Sequence, residues 1–392
     1  MVHTSLQILH CSDLHLDKNF NIPNISRGIE RKEDINRNFS EIVNFALNNK
    51  PDLFLITGDI FDRILPSNYA RIFLTKKIRE LKEKGIYVYM IGGNHDVPKI
   101  GRYSHLAIDI LQHAGLATVF SRSDIIQKKV INVSGKSVCI SGKSYFAQFE
   151  GQNPLKNEKI PIEGDYNILL LHGSLQGLNI FPAIPEMAVQ NPFRADDIQK
   201  GINYLALGHF HNYFERAYNN CLICNPGSIE KLTWAEMDDE KMFAWAELSG
   251  SEGSVEFQKL DTRPMELQDL FLKKDMEDKL SEIIIEHLTK IQDPIKILRL
   301  NLKGLITQAQ YAKMRINEIY RQCRDLFFHL EIQRKDLEVE GFGRIFIERI
   351  DNPVEAFTKR LDRLIVNTSD ENKRKQLMQV KEVGIKYLET SQ

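Results

Sequence analysis

The sequence has few cysteines, no surplus of charge of either sign and no long apolar run. Five cysteines, an odd number over 392 residues, cannot make the disulfide framework of a small secreted protein. Lys+Arg of 52 against Asp+Glu of 53 leaves a net charge of -1, so no chain-wide positive field draws the protein onto nucleic acid. Any DNA contact must use a local basic patch. The longest purely apolar runs, such as Ile168-Leu169-Leu170-Leu171, fall far below the ~18 residues of a membrane span. The N-terminus reaches Asp13 without a signal-peptide core, and a soluble cytoplasmic protein is expected. An ATP-binding phosphate loop is missing too. Ser134-Gly135-Lys136-Ser137 and Ser141-Gly142-Lys143-Ser144 carry its end, but Val130 and Ser137 stand where its first glycine is needed. Cys221-Leu222-Ile223-Cys224 has no second pair to complete a zinc site, so structural cysteines are expected.

What is present is enough to fill cores: 42% hydrophobic against 27% charged residues, in a chain long enough for two or three domains. Eight short apolar runs read as strands, at Leu6–His10, Leu53–Thr57, Ile86–Ile91, Ser137–Ile140, Ile168–Leu171, Tyr204–Leu207, Leu222–Cys224 and Met242–Leu248. Between the first two, Phe39, Ile42, Val43, Ala46 and Leu47 recur at helical spacing. Between the next two, Ile72, Phe73, Lys76, Ile78 and Leu81 do so less cleanly. This rhythm is α/β, with helices covering sheets. The basic run Lys76, Lys77, Arg79, Lys82 and Lys84 is interrupted by Glu80 and Glu83 and reads as a solvated helix face.

After the Asp261-Thr262-Arg263-Pro264 turn the character changes to a charged helical stretch. A strand at Ile295–Leu302, a helix at Gln308–Phe327 and a strand at Phe328–Ile332 follow, making a small α+β unit that ends near Gly343. Two amphipathic stripes close the chain: Val354, Phe357, Leu361 and Leu364, then Leu377, Val380, Gly384, Tyr387 and Leu388. The expected domains are 1–262, 263–345 and a helical segment over 346–392.

The informative polar residues stand where strands run out. Asp13-Leu14-His15 follows the first strand, Gly58-Asp59 the second, Gly93-Asn94-His95-Asp96 the third, His172-Gly173 the run at Ile168–Leu171, and Gly208-His209-Phe210-His211 the run at Tyr204–Leu207. Sites in open α/β sheets form beyond the carboxyl ends of the strands. Oxygen and nitrogen donors without thiolate suit Mn²⁺, Fe or Zn, and so many of them exceed the needs of one ion. Two ions ~3.5–4 Å apart, bridged by a carboxylate, would use them and would hold both oxygens of a phosphoryl displacement. Asp13 and His15, two apart on a segment read as extended, would point the same way.

Asp13-Leu14-His15, Gly58-Asp59-Ile60-Phe61-Asp62, Gly93-Asn94-His95-Asp96, His172 and Gly208-His209-Phe210-His211 together resemble the five motifs of calcineurin-like metallophosphoesterases. Within that superfamily, His10-Cys11-Ser12-Asp13-Leu14-His15-Leu16-Asp17, Asn225-Pro226-Gly227-Ser228-Ile229-Glu230 and Thr262-Arg263-Pro264-Met265 resemble the DNA repair exonuclease branch of SbcD- and YhaO-like nuclease subunits. The resemblance implies a four-layered αββα metallophosphoesterase core with a small α+β capping domain and C-terminal helices. It implies two Mn²⁺ ions, one held by Asp13, His15 and His211, the other by Asn94, His172 and His209, with Asp59 bridging. His95 would protonate the leaving oxygen or stabilise charge on the phosphate. Asp62, where some archaeal members of the branch carry a histidine, would orient His95, and Arg63 would contact the scissile phosphate. The implied activity is Mn²⁺-dependent hydrolysis of DNA phosphodiesters in double-strand break repair, beside an SbcC-like ATPase of the SMC family, with room for a homodimer. A phosphomonoesterase or cyclic-nucleotide phosphodiesterase is the alternative. A catalytically silent scaffold for a recombination ATPase would be expected to have lost a ligand, and none is missing.

Overall fold

The computed structural model describes residues 5–98, 105–145, 147, 151–178, 190–277, 279–341, 343–344, 353–366, 368 and 371–390. The chain forms two compact units: Met1–Leu267 with Leu288–Leu298 and Tyr320–Leu330, and Gln268–His287 with Arg299–Ile319 and Glu331–Gln392.

In the first unit the strands are β1 (Leu6–Cys11), β2 (Leu53–Thr57), β3 (Tyr87–Ile91), β4 (Thr118–Val119), β5 (Gln127–Val133), β6 (Lys136–Gly142) and β7 (Tyr166–His172). They continue as β8 (Leu175–Gln176), β9 (Phe193–Arg194), β10 (Tyr204–Gly208), β11 (Phe214–Tyr218), β12 (Cys221–Asn225), β13 (Met242–Ser249) and β14 (Glu252–Lys259). Two six-stranded mixed sheets result, in the orders β14-β13-β1-β2-β3-β4 and β11-β12-β10-β7-β6-β5. All eight expected strands are present. The sheets pack face to face through alternate residues: Ile8, Leu55 and Tyr89 from one meet Ile140, Ile168 and Tyr204 from the other.

The outer face of the first sheet is covered by α1 (Ile25–Asn49) and α2 (Asn68–Glu83), through Phe39, Ile42, Val43, Leu74, Ile78 and Leu81. Asn24 caps α1 by accepting the Arg27 N–H, and Lys50 ends the helix in left-handed backbone before Pro51. Ile72, expected on the covered face of α2, instead points to solvent. The buried row is Ala70, Leu74, Ile78 and Leu81, a stripe of three- and four-residue steps that excludes position 72. A short α3 (Asp109–His113) precedes β4. The fourth layer, on the outer face of the second sheet, is built in the described residues from the short parallel pair β8–β9 and irregular chain, which bury Leu155, Ile160, Leu175, Phe193, Ile198 and Ile202. All five cysteines are free and buried, and no described helix is long and apolar enough to cross a membrane.

A separate four-stranded sheet runs in the order β15 (Met265–Lys273), β16 (Asp293–Ile306), β17 (Phe327–Val339) and β18 (Gly343–Arg344). The stretch after Pro264, expected to be helical, opens with β15. This edge strand is half solvated and carries charge, as edge strands do, which hides its period of two. Helix α4 (Leu280–Lys290) follows it. The single helix expected over Gln308–Phe327 is broken into α5 (Gln308–Lys313) and α6 (Ile316–Cys323). Met314 takes extended backbone there. At the chain end α7 (Pro353–Val366) and α8 (Glu371–Thr390) form an antiparallel hairpin, with Gly384 against the Phe357 ring and Lys381 paired to Asp362. Leu361 and Ile365 are buried, while Leu364, Val366, Met378, Val380 and Val383 are exposed. The side chains of Val354, Tyr387 and Leu388 lie outside the described residues.

Candidate metal centre

Parallel pairing brings the five motif loops to one edge. β1, β2 and β3 run parallel in one sheet, β7 and β10 in the other, with His172 level with Gly208. The first two loops are laced together: Asp13 N–H donates to Gly58 O at 3.1 Å, His15 N–H to Asp59 O at 2.9 Å and Leu16 N–H to Ile60 O at 3.0 Å. That lacing departs from the extended segment expected at 13–15. Asp13, His15 and Asp59 sit in left-handed backbone at φ 50, 46 and 47, and His209 at φ 106. Such conformations cost about 1–3 kcal/mol each in a non-glycine residue and persist where the surroundings impose them. The glycines in these motifs follow from the same crowding. A Cβ on Gly58, itself at φ +88, would lie 2.3 Å from His172 Nδ1, and one on Gly93 would lie 2.2 Å from Asp59 Oδ1.

At the centre stands Asp59, 2% exposed. Its Oδ2 is 3.6 Å from His15 Nε2 and 3.6 Å from His172 Nε2, and its Oδ1 accepts the His95 main-chain N–H at 2.8 Å. Asp13, His15 and His211 gather on one side, with the His15 and His211 ring centroids 5.2 Å apart. On the other, Asn94 Oδ1 lies 2.9 Å from His172 Nε2 and 3.3 Å from His209 Nδ1. Asp13 belongs to both sides, since its carboxylate also groups with Asp59 and His172, and it accepts the His209 main-chain N–H.

These donors fit a divalent cation. Asp13 and Asp59 are buried carboxylates; among the described residues Asp59 pairs with histidines alone, and buried anions without a permanent cation are costly. Burial opposes ionisation of Asp59, yet the His172 charge beside it holds its carboxyl well below the usual range. Burial likewise opposes the charged form of His172, and Asp59 overrides it, raising the imidazole to about 9. His15 Nε2 is buried with no hydrogen-bond partner. An orphaned imidazole nitrogen facing two carboxylates is a lone pair prepared for a metal.

The residues expected to act on substrate are arranged differently. Asp62 does not reach His95 through its carboxylate: His95 Nδ1 lies 3.0 Å from the Asp62 main-chain oxygen. The Asp62 carboxylate meets His15 Nδ1 at 3.1 Å and Lys18 Nζ at 3.0 Å, because its N–H is tied to Leu16 O and turns the side chain toward that loop. Arg63 is half exposed and donates to Asp17 O at 3.2 Å, a rim position without contact to the metal-site donors among the hydrogen bonds of the described residues.

Sequence reading missed the supports. Asp96, inside a recognised motif, accepts from Ile60, Phe61 and Gly93 N–H at 2.9–3.0 Å and pins two site loops. Burial and the Asp59 charge push it up to about 7 against those donors. Thr57 O lies 2.8 Å from His172 Nδ1. Glu236, which no motif signals, lies 3.2 Å from His211 Nδ1. The Asn225–Glu230 motif proves to be a brace: Asn225 Nδ2 donates to Phe210 O and Asn212 O, and Ser228 N–H to His211 O.

Residues 6–213 match the family of calcineurin-like phosphoesterases, and the chain belongs to that metallophosphoesterase family. It is 28% identical over 262 residues to the uncharacterized metallophosphoesterase YhaO of Bacillus subtilis, covering 65% of this chain and 60% of that protein. It is also 28% identical over 291 residues to the DNA double-strand break repair protein Mre11 of Methanocaldococcus jannaschii, covering 70% of this chain and 71% of that protein. With Mre11 of Sulfolobus acidocaldarius it shares 26% over 314 residues, 77% of this chain and 76% of that protein.

Proposed function

We propose that this protein is a two-metal DNA nuclease, hydrolysing phosphodiester bonds in the repair of double-strand breaks in the cytoplasm. The observation that carries the two-metal reading is Asp59 Oδ2, at 3.6 Å from an imidazole nitrogen on either side. Asp13, His15 and His211 would hold one divalent ion, Asn94, His172 and His209 the other, and Asp59 both. Mn²⁺ is the ion that the resemblance to this branch implies, and it is among those the donor set suits, beside Fe and Zn. When bound, such ions polarise the phosphate and lower the pKa of a coordinated water.

His95 is the proton donor in this reading. The Asp62 carbonyl can only accept, so His95 Nδ1 carries the hydrogen of that bond, and a doubly protonated ring would give its Nε2 proton to the leaving oxygen and return to the neutral Nδ1–H form. The His95 N–H on Asp59 Oδ1 locks the ring's backbone to the central carboxylate. Asp62 acts on His15 through its carboxylate and on His95 through its main chain, and Arg63 meets the phosphate backbone from the rim.

DNA as substrate is supported by the Mre11 relatives, which align over some 70% or more of this chain. Residues 263–345 would select DNA geometry. The hairpin over α7 and α8, with Val380, Val383 and Phe357 around a cavity of about 470 Å³, would take up an SbcC-like ATPase of the SMC family. The exposed Ile25, Ile29, Leu65, Tyr69 and Ile72 offer a surface to a second copy. Labelled single- and double-stranded DNA, beside a simple phosphodiester dye, with Mn²⁺ or Mg²⁺ supplied, tests the reading. Cleavage of DNA is expected; turnover of the dye but never of DNA would favour a phosphomonoesterase or cyclic-nucleotide phosphodiesterase instead.

A further inference from the structure

Behind His211 lies a buried polar assembly that none of the motifs contains. Glu236 ends a turn of 3-10 helix, Trp234–Glu236, and is 5% exposed. Its Oε1 sits 3.2 Å from His211 Nδ1 and accepts from Thr233 Oγ1 at 3.0 Å. Its Oε2 accepts from Lys241 Nζ at 2.8 Å and from the Leu232 N–H at 3.2 Å. Lys241, 1% exposed, also donates to His211 O at 3.2 Å. The carboxylate and the ammonium thus grip His211 at its ring and at its main chain.

An ionised carboxylate can only accept, so His211 Nδ1 carries the hydrogen and Nε2 is left as the ring's one lone pair. His15 has the same support, with Nδ1 on the Asp62 carboxylate. His172, across Asp59, has among the described residues the neutral Thr57 carbonyl behind its Nδ1. A carboxylate behind a ligating imidazole makes the outer nitrogen a stronger donor than a carbonyl does. We propose that Glu236 is a positioning residue that fixes the His211 tautomer, so that the position formed by Asp13, His15 and His211 binds its divalent ion more tightly than the position containing His172. The proposal rests on the two-ion reading above.

The test is a Mn²⁺ titration of the full-length, metal-free protein by equilibrium dialysis, with and without Glu236→Gln. The unsubstituted protein should fill in two steps, and Glu236→Gln should weaken the tighter one by about 10–100-fold while leaving the weaker one unchanged. Unchanged affinities, or equal weakening of both steps, overturn the proposal. Uptake of fewer than two ions by the unsubstituted protein overturns the two-ion reading instead. Nitrogen-15 imidazole spectra of the unsubstituted metal-free protein give a second readout that needs no variant to fold. The Nδ1–H tautomer is expected at His211, and the Nε2–H tautomer contradicts the proposal.

Discussion

At the strand ends the backbone is contorted and the polar groups are hidden, whereas in the C-terminal hairpin the backbone is regular and several apolar groups are bare. Asp13, His15, Asp59 and His209 hold left-handed backbone, with Asp13, His15 and Asp59 at 0–2% exposure. Val366 and Val383, on ordinary helices, are 75% and 68% exposed. Folding alone favours neither arrangement, since strained backbone and buried charge cost stability and a solvated valine contributes none. The loops accept that cost in a way that suits a charged ligand, and the hairpin forgoes that burial in a way that suits another apolar surface.

The sharpest way to break this comparison is to add one methyl group in each region. Gly93→Ala would drive a Cβ to 2.2 Å from Asp59 Oδ1 and 2.3 Å from Asp59 N, a clash with main chain and a buried carboxylate. A loss above about 4 kcal/mol in urea unfolding, with loss of bound metal, is expected. In the hairpin, Gly384→Ala meets Phe357 Cζ at 2.3 Å, but that ring is half-buried and can swing aside. Alanine also gains about 1 kcal/mol of helix propensity over glycine, so the net change should stay within about 1 kcal/mol. Equal losses at the two positions would refute the contrast.

Next in size is His95→Ala, expected to cut turnover by ~10²–10⁴ with metal content intact, as measured by steady-state kinetics beside metal analysis. Loss of metal in that variant would move His95 from proton transfer to site construction. A buried charge network in the first unit gives a third prediction. Asp34 pairs with Arg263 at 2.6 Å and with Arg31 and Arg37 at 3.0 Å. Burial opposes its ionisation, but the bond to Arg263 and the Arg31 charge pull its carboxyl below the ordinary value. Stability from such a group is present above the unfolded pKa of about 3.9 and lost as pH falls through the lower folded value. Asp34→Asn should cost about 3 kcal/mol at pH 7, a deficit that shrinks on acidification below about pH 4, as thermal unfolding across pH would read. A deficit independent of pH would count against the pairing. The smallest effect on stability is expected in the hairpin, where Val380→Asp and Val383→Asp should each stay within about 0.5 kcal/mol yet abolish co-purification with the ATPase proposed above as partner. Retained co-purification would place the partner elsewhere.

The clustering of the candidate ligands was legible because their chemistry is concentrated: each motif joins a strand end to polar residues at fixed spacing, and parallel pairing carries all of them to one edge. What holds the site was not legible, since Glu236 and Thr57 reach their histidines only after folding, across 25 and 115 residues. Within the fold, β15 was hidden by the charges of an edge strand, and the break between α5 and α6 by a periodicity that runs on through Met314. The orientation of Asp62 escaped for a related reason, because the main-chain bond from its N–H to Leu16 O decides which histidine its carboxylate meets.

Counting metal ions in the purified protein tests the central claim most directly. Two divalent ions per chain are expected after loading with Mn²⁺, and Asp59→Asn, which weakens the group shared by His15 and His172, should lose far more of them than His15→Ala. One ion per chain, or full occupancy in the absence of the Asp59 carboxylate, would contradict the account.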